Sequence, residues 1–309
     1  MNNFKSKIVS QSIAIVTTTL YPHWYKGNLK KDSTEEEKIQ KTRGDLALEM
    51  LKAAKEKNFW IVLIDAGSSL EFLEQLTKIG IKSISAKDKA LSPSRQQGFK
   101  LASKIKGVKV ICWLEPEKVS IPKDSLPHAV LPILKNQSDI VIPKRDESAF
   151  ATYPSYQAEI EKLANKKWNT ILKKYKLLPQ KADELDIWFG PKFFRNNPHL
   201  IKLFLRRYKF KSNRLSRKEY KFDEALDLDL WQNAIILPII SAVKEGYHVM
   251  SYPINFSYPA EQKKVENNSS LMRRKREIQF RGILLATEYF TRYITKRKKL
   301  DKIKLTRNY

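Results

Sequence analysis

The 309-residue chain is short of glycine, cysteine and histidine, and each shortage removes a class of protein. Nine glycines are too few for collagen-like or glycine-rich architectures. No G-x-G-x-x-G follows either early apolar strand, and no G-x-x-x-x-G-K-[ST] loop occurs. Dinucleotide-dependent dehydrogenases and P-loop NTPases are therefore disfavoured. The single cysteine, Cys112, excludes an internal disulfide framework and fits a reducing compartment. It lies inside an apolar run and reads as a packing residue. Four scattered histidines do not make a structural zinc site. No apolar run approaches the ~18 residues that cross a bilayer. Lys5 and Lys7 precede only a short apolar stretch, Ile13-Ala14-Ile15-Val16, too brief for a secretory signal core. The expectation is a soluble, cytoplasmic chain.

What is present in excess is positive charge: 59 Lys and Arg against 33 Asp and Glu, a net +26. Such a field favours anionic partners, among them nucleotides, phosphosugars, acidic lipid and nucleic acid, without choosing one. A lysine-rich composition accounts for it equally well with no partner. Hydrophobic residues make up 42% and aromatics are plentiful, enough for a sizeable core.

The first half alternates apolar strands with amphipathic helices. Strands are expected at 12–20, 60–65, 81–86, from Val108 onward, and at 139–143. A helix with overlapping capping boxes, Ser33…Glu36 and Thr34…Glu37, presents Ile39, Leu46, Ala47, Met50, Leu51 and Ala54 on one face. Further helices are expected at 69–79, 92–106 and near 126–135. The second half is more helical, at 155–175, 197–208, 225–244 and 270–299, with a strand at 247–256 and a basic surface loop at 209–221. Strand-helix alternation with continuous apolar strands means a parallel sheet covered on both faces. Ligands of such sheets bind beyond the carboxyl ends of the strands. Thr17, Thr18 and Thr19, then Asp65, Gly67 and Ser68, then Glu115 and Glu117, then Lys144 and Arg145, occupy those ends.

The most informative stretch is Cys112-Trp113-Leu114-Glu115-Pro116-Glu117-Lys118. Pro116 holds Glu115 extended, and positions i and i+2 of an extended chain point the same way. Glu115 and Glu117 are thus expected to converge on one hard divalent cation, Mg²⁺ or Mn²⁺, which in turn holds a diphosphate. Asp65 is placed to accept hydrogen bonds from a ribose or base. Arg95 opens a helix where a phosphate would meet both the guanidinium and the helix N-terminus. Capping and surface pairing explain the same residues without a ligand. Tyr153 and Gln157, in the loop after the fifth strand, are candidates for a sugar or acceptor pocket, or for plain packing.

The series Ile64-Asp65-Ala66-Gly67-Ser68-Ser69, Ser92-Pro93-Ser94-Arg95-Gln96-Gln97-Gly98 and Trp113-Leu114-Glu115-Pro116-Glu117-Lys118 resembles the nucleotide-diphospho-sugar glycosyltransferases of the GT-A fold, most of all the family 2-like group. The resemblance spans residues 12–145 and runs on more loosely through Asp186-Ile187-Trp188-Phe189-Gly190-Pro191. It implies a three-layer α/β sandwich with a mostly parallel central sheet and a helical C-terminal extension. It implies transfer of a sugar from a nucleotide-diphosphate donor to an acceptor that the sequence does not name. Thr17, Asp65, Gly67 and Arg95 would contact the nucleotide and diphosphate, Glu115 and Glu117 the metal, and Trp188 and Gly190 the acceptor pocket. An inverting enzyme needs a carboxylate at the acceptor hydroxyl, and Asp186 is the candidate base. This chain departs from the pattern in carrying Glu-Pro-Glu where such enzymes carry Asp-x-Asp.

The domain division expected is 1–265 for the catalytic body and 266–309 for a basic amphipathic helix packed on it. Residues 270–309 hold 13 Lys and Arg against 3 Asp and Glu. Phe280, Ile283, Leu284, Phe290 and Ile294 share one helical face. That combination fits a docked helix, peripheral contact with an anionic inner membrane face, or, less well, nucleic acid. A non-catalytic membrane- or nucleic-acid-binding protein on a degenerate transferase scaffold is the rival reading.

Overall fold

The computed structural model describes residues 9–208 and 232–296. The expected basic loop at 209–221, the start of the helix expected at 225–244 and the basic run 297–299 lie outside the described residues.

In chain order the elements are β1 (Ile13–Thr19), α1 (Glu35–Glu56), β2 (Trp60–Asp65), α2 (Leu70–Lys78), β3 (Ser83–Ser85), α3 (Leu91–Ala102), β4 (Val110–Trp113), a π-helical turn (Ile121–Ser125), α4 (Leu126–Ala129), α5 (Leu131–Leu134), β5 (Ile140–Lys144), α6 (Glu147–Ala151), α7 (Ser155–Lys174), β6 (Lys192–Arg195), α8 (Pro198–Leu205), α9 (Gln232–Ile235), α10 (Leu237–Lys244), β7 (Val249–Pro253), α11 (Ala260–Glu266) and α12 (Ser270–Lys296). Of the two capping boxes, the one at Thr34 forms: its hydroxyl accepts from the Glu37 N–H while the Glu37 carboxylate accepts from the Thr34 N–H.

Among the described residues the strands make one sheet in the order β3-β2-β1-β4-β6-β5-β7. All neighbours are parallel except β6, which is antiparallel to both β4 and β5. Side-chain alternation along the strands divides the core in two. Ala14, Val16, Ile111, Trp113, Ile140, Ile142 and Phe194 face one layer of helices. Ile13, Ile15, Val110, Cys112, Val141 and Phe193 face the other. This is the three-layer α/β sandwich expected. Cys112 is buried in that second layer, and burial pushes its thiol pKa up, as befits a packing residue.

The antiparallel β6 is the one strand that the sequence pattern misses. Its apolar content is only Phe193-Phe194, too short for a period to show. Its direction matters for the site. Trp113 pairs with Lys192, so the loop leading into β6 arrives at the carboxyl end of β4. Helix α3 is seated equally closely. A Cβ on Gly98 would lie 2.4 Å from Val16 Cγ1, so only glycine lets the helix approach β1 there. Arg95 is one turn earlier on the same face and is thereby brought over the sheet edge.

Helix α12 packs along α7 and α10, with Ile283, Ala286, Phe290 and Ile294 buried. The apolar face that a membrane surface would need is spent on the core. Among the described residues no helix is long and apolar enough to cross a membrane.

Candidate functional site

A cleft of about 630 Å³ opens beyond the carboxyl ends of β1, β2 and β4. Thr18, Thr19 and Ala66 form one wall, Arg95 and Trp113 the floor, Glu115 and Glu117 one end, and Trp188 and Gly190 the side opposite. Met272, Arg276 and Gln279 of α12 close it from above. Its size and place are those of a small-molecule site in an α/β sheet.

Arg95 has the most unusual environment in the cleft. The residue is only 4% exposed, and among the described residues its Nε and Nη1 have no hydrogen-bond partner. The guanidinium lies over the Trp113 ring, 4.4 Å from the centroid. Burial lowers its pKa to about 10, against a weaker opposing pull from Glu115. Trp113 Nε1, Trp188 Nε1 and Arg276 Nε, all on cleft residues, are likewise buried with no partner among the described residues. These unpaired atoms are all donors. A buried donor is normally matched by an acceptor, so these atoms would suit acceptor oxygens in the cleft.

The two carboxylates have different surroundings. Glu117 is buried and pairs through Oε1 with Arg43 Nη1 at 3.5 Å. Arg43 is itself anchored by Glu266 at 2.8 Å, which also accepts from Tyr258 Oη at 2.7 Å. Glu115 keeps about a third of its side chain exposed and pairs with Lys118 at 3.5 Å. Burial opposes ionisation of Glu115, but Lys118, Arg276, Arg95 and Arg43 together hold its pKa below the ordinary value. Burial and the neighbouring Glu115 push Glu117 the other way. Among the described residues no third His, Cys, Asp or Glu joins them to complete a cation cage. The expected convergence of both carboxylates on one point is not what the ligand-free chain shows: each is turned to its own basic partner.

Asp65 does not line the cleft and is occupied with its own turn. It accepts from Thr19 Oγ1 at 2.8 Å, Gly67 N at 3.0 Å and Ser68 N at 3.1 Å. It thereby shapes the strand ends, and Ala66 is the residue of that turn that meets the cleft. Thr17 lies wholly buried within β1 and does not reach the cleft.

Asp186 is not positioned as a base. Arg145 donates to it from Nε and Nη2, both at 2.8 Å, and Asn165 Nδ2 donates at 2.6 Å. Burial alone would raise its pKa, but Arg145 holds it below the usual carboxylate range. A carboxylate so engaged is a poor proton acceptor. Its effect is on shape: Asp186, Asn165 and Asn169 fix the backbone from Leu185 to Phe189, which sets Trp188 at the cleft. Tyr153 and Gln157 belong to the same buried assembly. Tyr153 lies under Arg145, and Gln157 donates to Glu161, the second acid paired with Arg145. Neither lines the cleft.

Gly190 touches the site through Glu115. A Cβ there would sit 2.2 Å from the Glu115 carboxyl carbon. Lys192 fixes this turn from below: wholly buried, its Nζ donates to the carbonyls of Phe189, Gly190 and Pro191.

Arg43 and Arg276 are the contributors that the sequence reading misses. Arg43 sits on α1 with nothing local to mark it. Arg276 carries a signal, since Met272, Arg276, Gln279 and Ile283 recur at helical spacing, with Met272 and Ile283 buried. That phase separates Arg276 from the other members of its basic cluster.

Neither a protein-family model nor a curated protein matches the sequence. Solved structures do share its fold. A mannosyl-3-phosphoglycerate synthase from Rubrobacter xylanophilus superposes with a TM-score of 0.54 at 12% identity, covering 98% of this chain and 80% of that one. A glucosyl-3-phosphoglycerate synthase from Mycobacterium tuberculosis in complex with phosphoglyceric acid gives 0.53 at 9% identity, over 93% and 83%. The same enzyme with Mn²⁺, UDP-glucose and phosphoglyceric acid gives 0.52 at 10% identity, over 92% and 82%. The fold is the GT-A fold of nucleotide-diphospho-sugar transferases.

Proposed function

We propose that this chain is a glycosyltransferase that takes a sugar from a nucleotide-diphosphate donor and passes it to an acceptor hydroxyl. The observation that carries this reading is the cleft itself: buried, unpartnered donors on Arg95, Trp113, Trp188 and Arg276, at the strand ends of a GT-A sheet. A diphosphate joined to two sugars supplies the acceptor oxygens that this surface lacks.

The Asp65 turn shapes the wall for the nucleoside, and Thr19 and Ala66 border it. Arg95 meets the diphosphate. Trp188 and the Gly190 turn bound the sugar and acceptor end. In the reaction the acceptor oxygen bonds the anomeric carbon while the bond to the diphosphate oxygen breaks. The electron pair leaves on the diphosphate and the hydroxyl gives up its proton. Cations in the cleft stabilise the charge that develops on the leaving group. The related structure from M. tuberculosis holds Mn²⁺ beside UDP-glucose. A divalent cation in such a site would serve as Lewis acid for that same charge. In this chain the nearby carboxylates, Glu115 and Glu117, each pair with a basic side chain.

A thermal-shift panel of nucleotide sugars tests the reading. Stabilisation by at least one of them is expected. No shift with any donor, together with tight and salt-sensitive binding to nucleic acid, overturns it.

A further inference from the structure

Hard divalent cations need oxygen ligands that can turn toward them, in a place where negative charge exceeds positive. The end of this cleft has the opposite balance. Glu117 is committed to Arg43, and Arg43 cannot follow a departing carboxylate because Glu266 and Tyr258 fix the other side of the assembly. Glu115 feels four cations, Lys118, Arg276, Arg95 and Arg43. A doubly charged ion placed between the two acids would enter that field with no third acidic ligand among the described residues.

The missing negative charge is instead implied by the unpartnered cation. Arg95 is 4% exposed and stacked on Trp113, and its Nε and Nη1 face no acceptor among the described residues. Arg276 enters from α12 with its Nε also unmet, while its Nη1 is steadied by Gln279 Oε1 at 2.9 Å. Arginine presents planar, paired donors that match phosphate oxygens.

We propose that the donor's diphosphate is neutralised by guanidinium groups, Arg95 with Arg276 from the C-terminal helix, and not by a divalent cation on Glu115 and Glu117. This inference rests on the nucleotide-sugar reading above. The two glutamates then serve to position basic side chains: Glu117 holds Arg43, and Glu115 draws Lys118 and the arginines to the cleft end. Because Arg276 lies on α12, the last helix completes the site instead of merely covering the sheet.

The test is calorimetric titration of the full chain with uridine, guanosine and adenosine diphosphates and their hexose conjugates, in excess EDTA and again in excess Mn²⁺ or Mg²⁺. The expected result is binding of at least one ligand in EDTA, with an affinity that metal leaves essentially unchanged. Arg95→Met and Arg276→Met should each weaken that binding roughly tenfold or more, with thermal melts showing that both variants stay folded. Binding that appears only with metal and is lost in Glu117→Gln overturns the inference and leaves the transferase reading standing. No binding of any nucleotide diphosphate in either condition overturns both.

Discussion

Arg95 stacks on Trp113 at 4.4 Å, and among the described residues its Nε and Nη1 meet no hydrogen-bond acceptor. An enclosed charge of this kind is a stability debt of several kcal/mol unless something enters to meet it. Arg95→Met should therefore raise the melting temperature of the ligand-free protein by a few degrees, by about 1–3 kcal/mol of restored stability. The same variant should reduce stabilisation by nucleotide diphosphates, in line with the weaker binding. Differential scanning calorimetry with and without ligand reads both effects. A lower melting temperature for the ligand-free variant would assign Arg95 to the scaffold.

The contact between Gly190 and Glu115 is equally specific. Gly190→Ala puts a methyl group within 2.2 Å of the Glu115 carboxyl carbon. The obstructed atoms are at the far end of a flexible side chain, so Glu115 swings away and its ion pair with Lys118 at 3.5 Å is lost. Stability should fall by about 1 kcal/mol or less, while donor affinity drops. Adding Glu115→Ala to Gly190→Ala should cost little beyond Glu115→Ala alone. Additive losses in that double-mutant cycle would show that the two residues do not act through each other.

Much of this arrangement is legible in the sequence because apolar period and strand-end position are local properties. Runs such as Ile13–Thr19 and Trp60–Asp65 announce buried parallel strands, and the Thr34…Glu37 box fixes the start of α1. The Glu-Pro-Glu pair follows the end of β4, and Arg95 lies in the first turns of α3, so both reach the cleft from elements that the pattern announces. What stays hidden is pairing at long range. Nothing near Asp186 reveals that Arg145, 41 residues earlier, takes its carboxylate. Nothing near Glu117 reveals Arg43, and nothing near Arg43 reveals Glu266, 223 residues later. The strand β6 escapes detection with only two apolar residues, yet its antiparallel course delivers Trp188 and Gly190 to the end of β4.

Asp186 provides a direct contrast between a base and a support. With Arg145, Asn165 and the Phe189 N–H all directed at it, Asp186→Asn leaves the buried Arg145 guanidinium short of its main counter-charge. A loss of about 3–5 kcal/mol is expected, as for other broken buried pairs. Urea denaturation measures it. A catalytic base would give the reverse signature, full stability and a collapse of kcat.

The pH dependence of stability should be governed in acid by Glu266. Burial on its own would raise the Glu266 pKa, but Arg43, with the hydrogen bond from Tyr258, overrides it and brings the value down to about 2. A carboxylate depressed in the folded state binds its proton more readily when unfolded. Its contribution is therefore fully present above the ordinary value of 4.5 and is lost as pH falls toward 2. The depression corresponds to about 3 kcal/mol at neutral pH. In a series of urea melts, the wild-type midpoint should decline through the interval from pH 4.5 down to 2. Glu266→Gln should be less stable at neutral pH by a similar amount, because Arg43 loses its closest partner, and its own decline over that interval should be shallower. Parallel curves for the two proteins would mean that the Arg43–Glu266 pair contributes nothing to acid sensitivity. They would also remove the anchor by which Arg43 is held against Glu117.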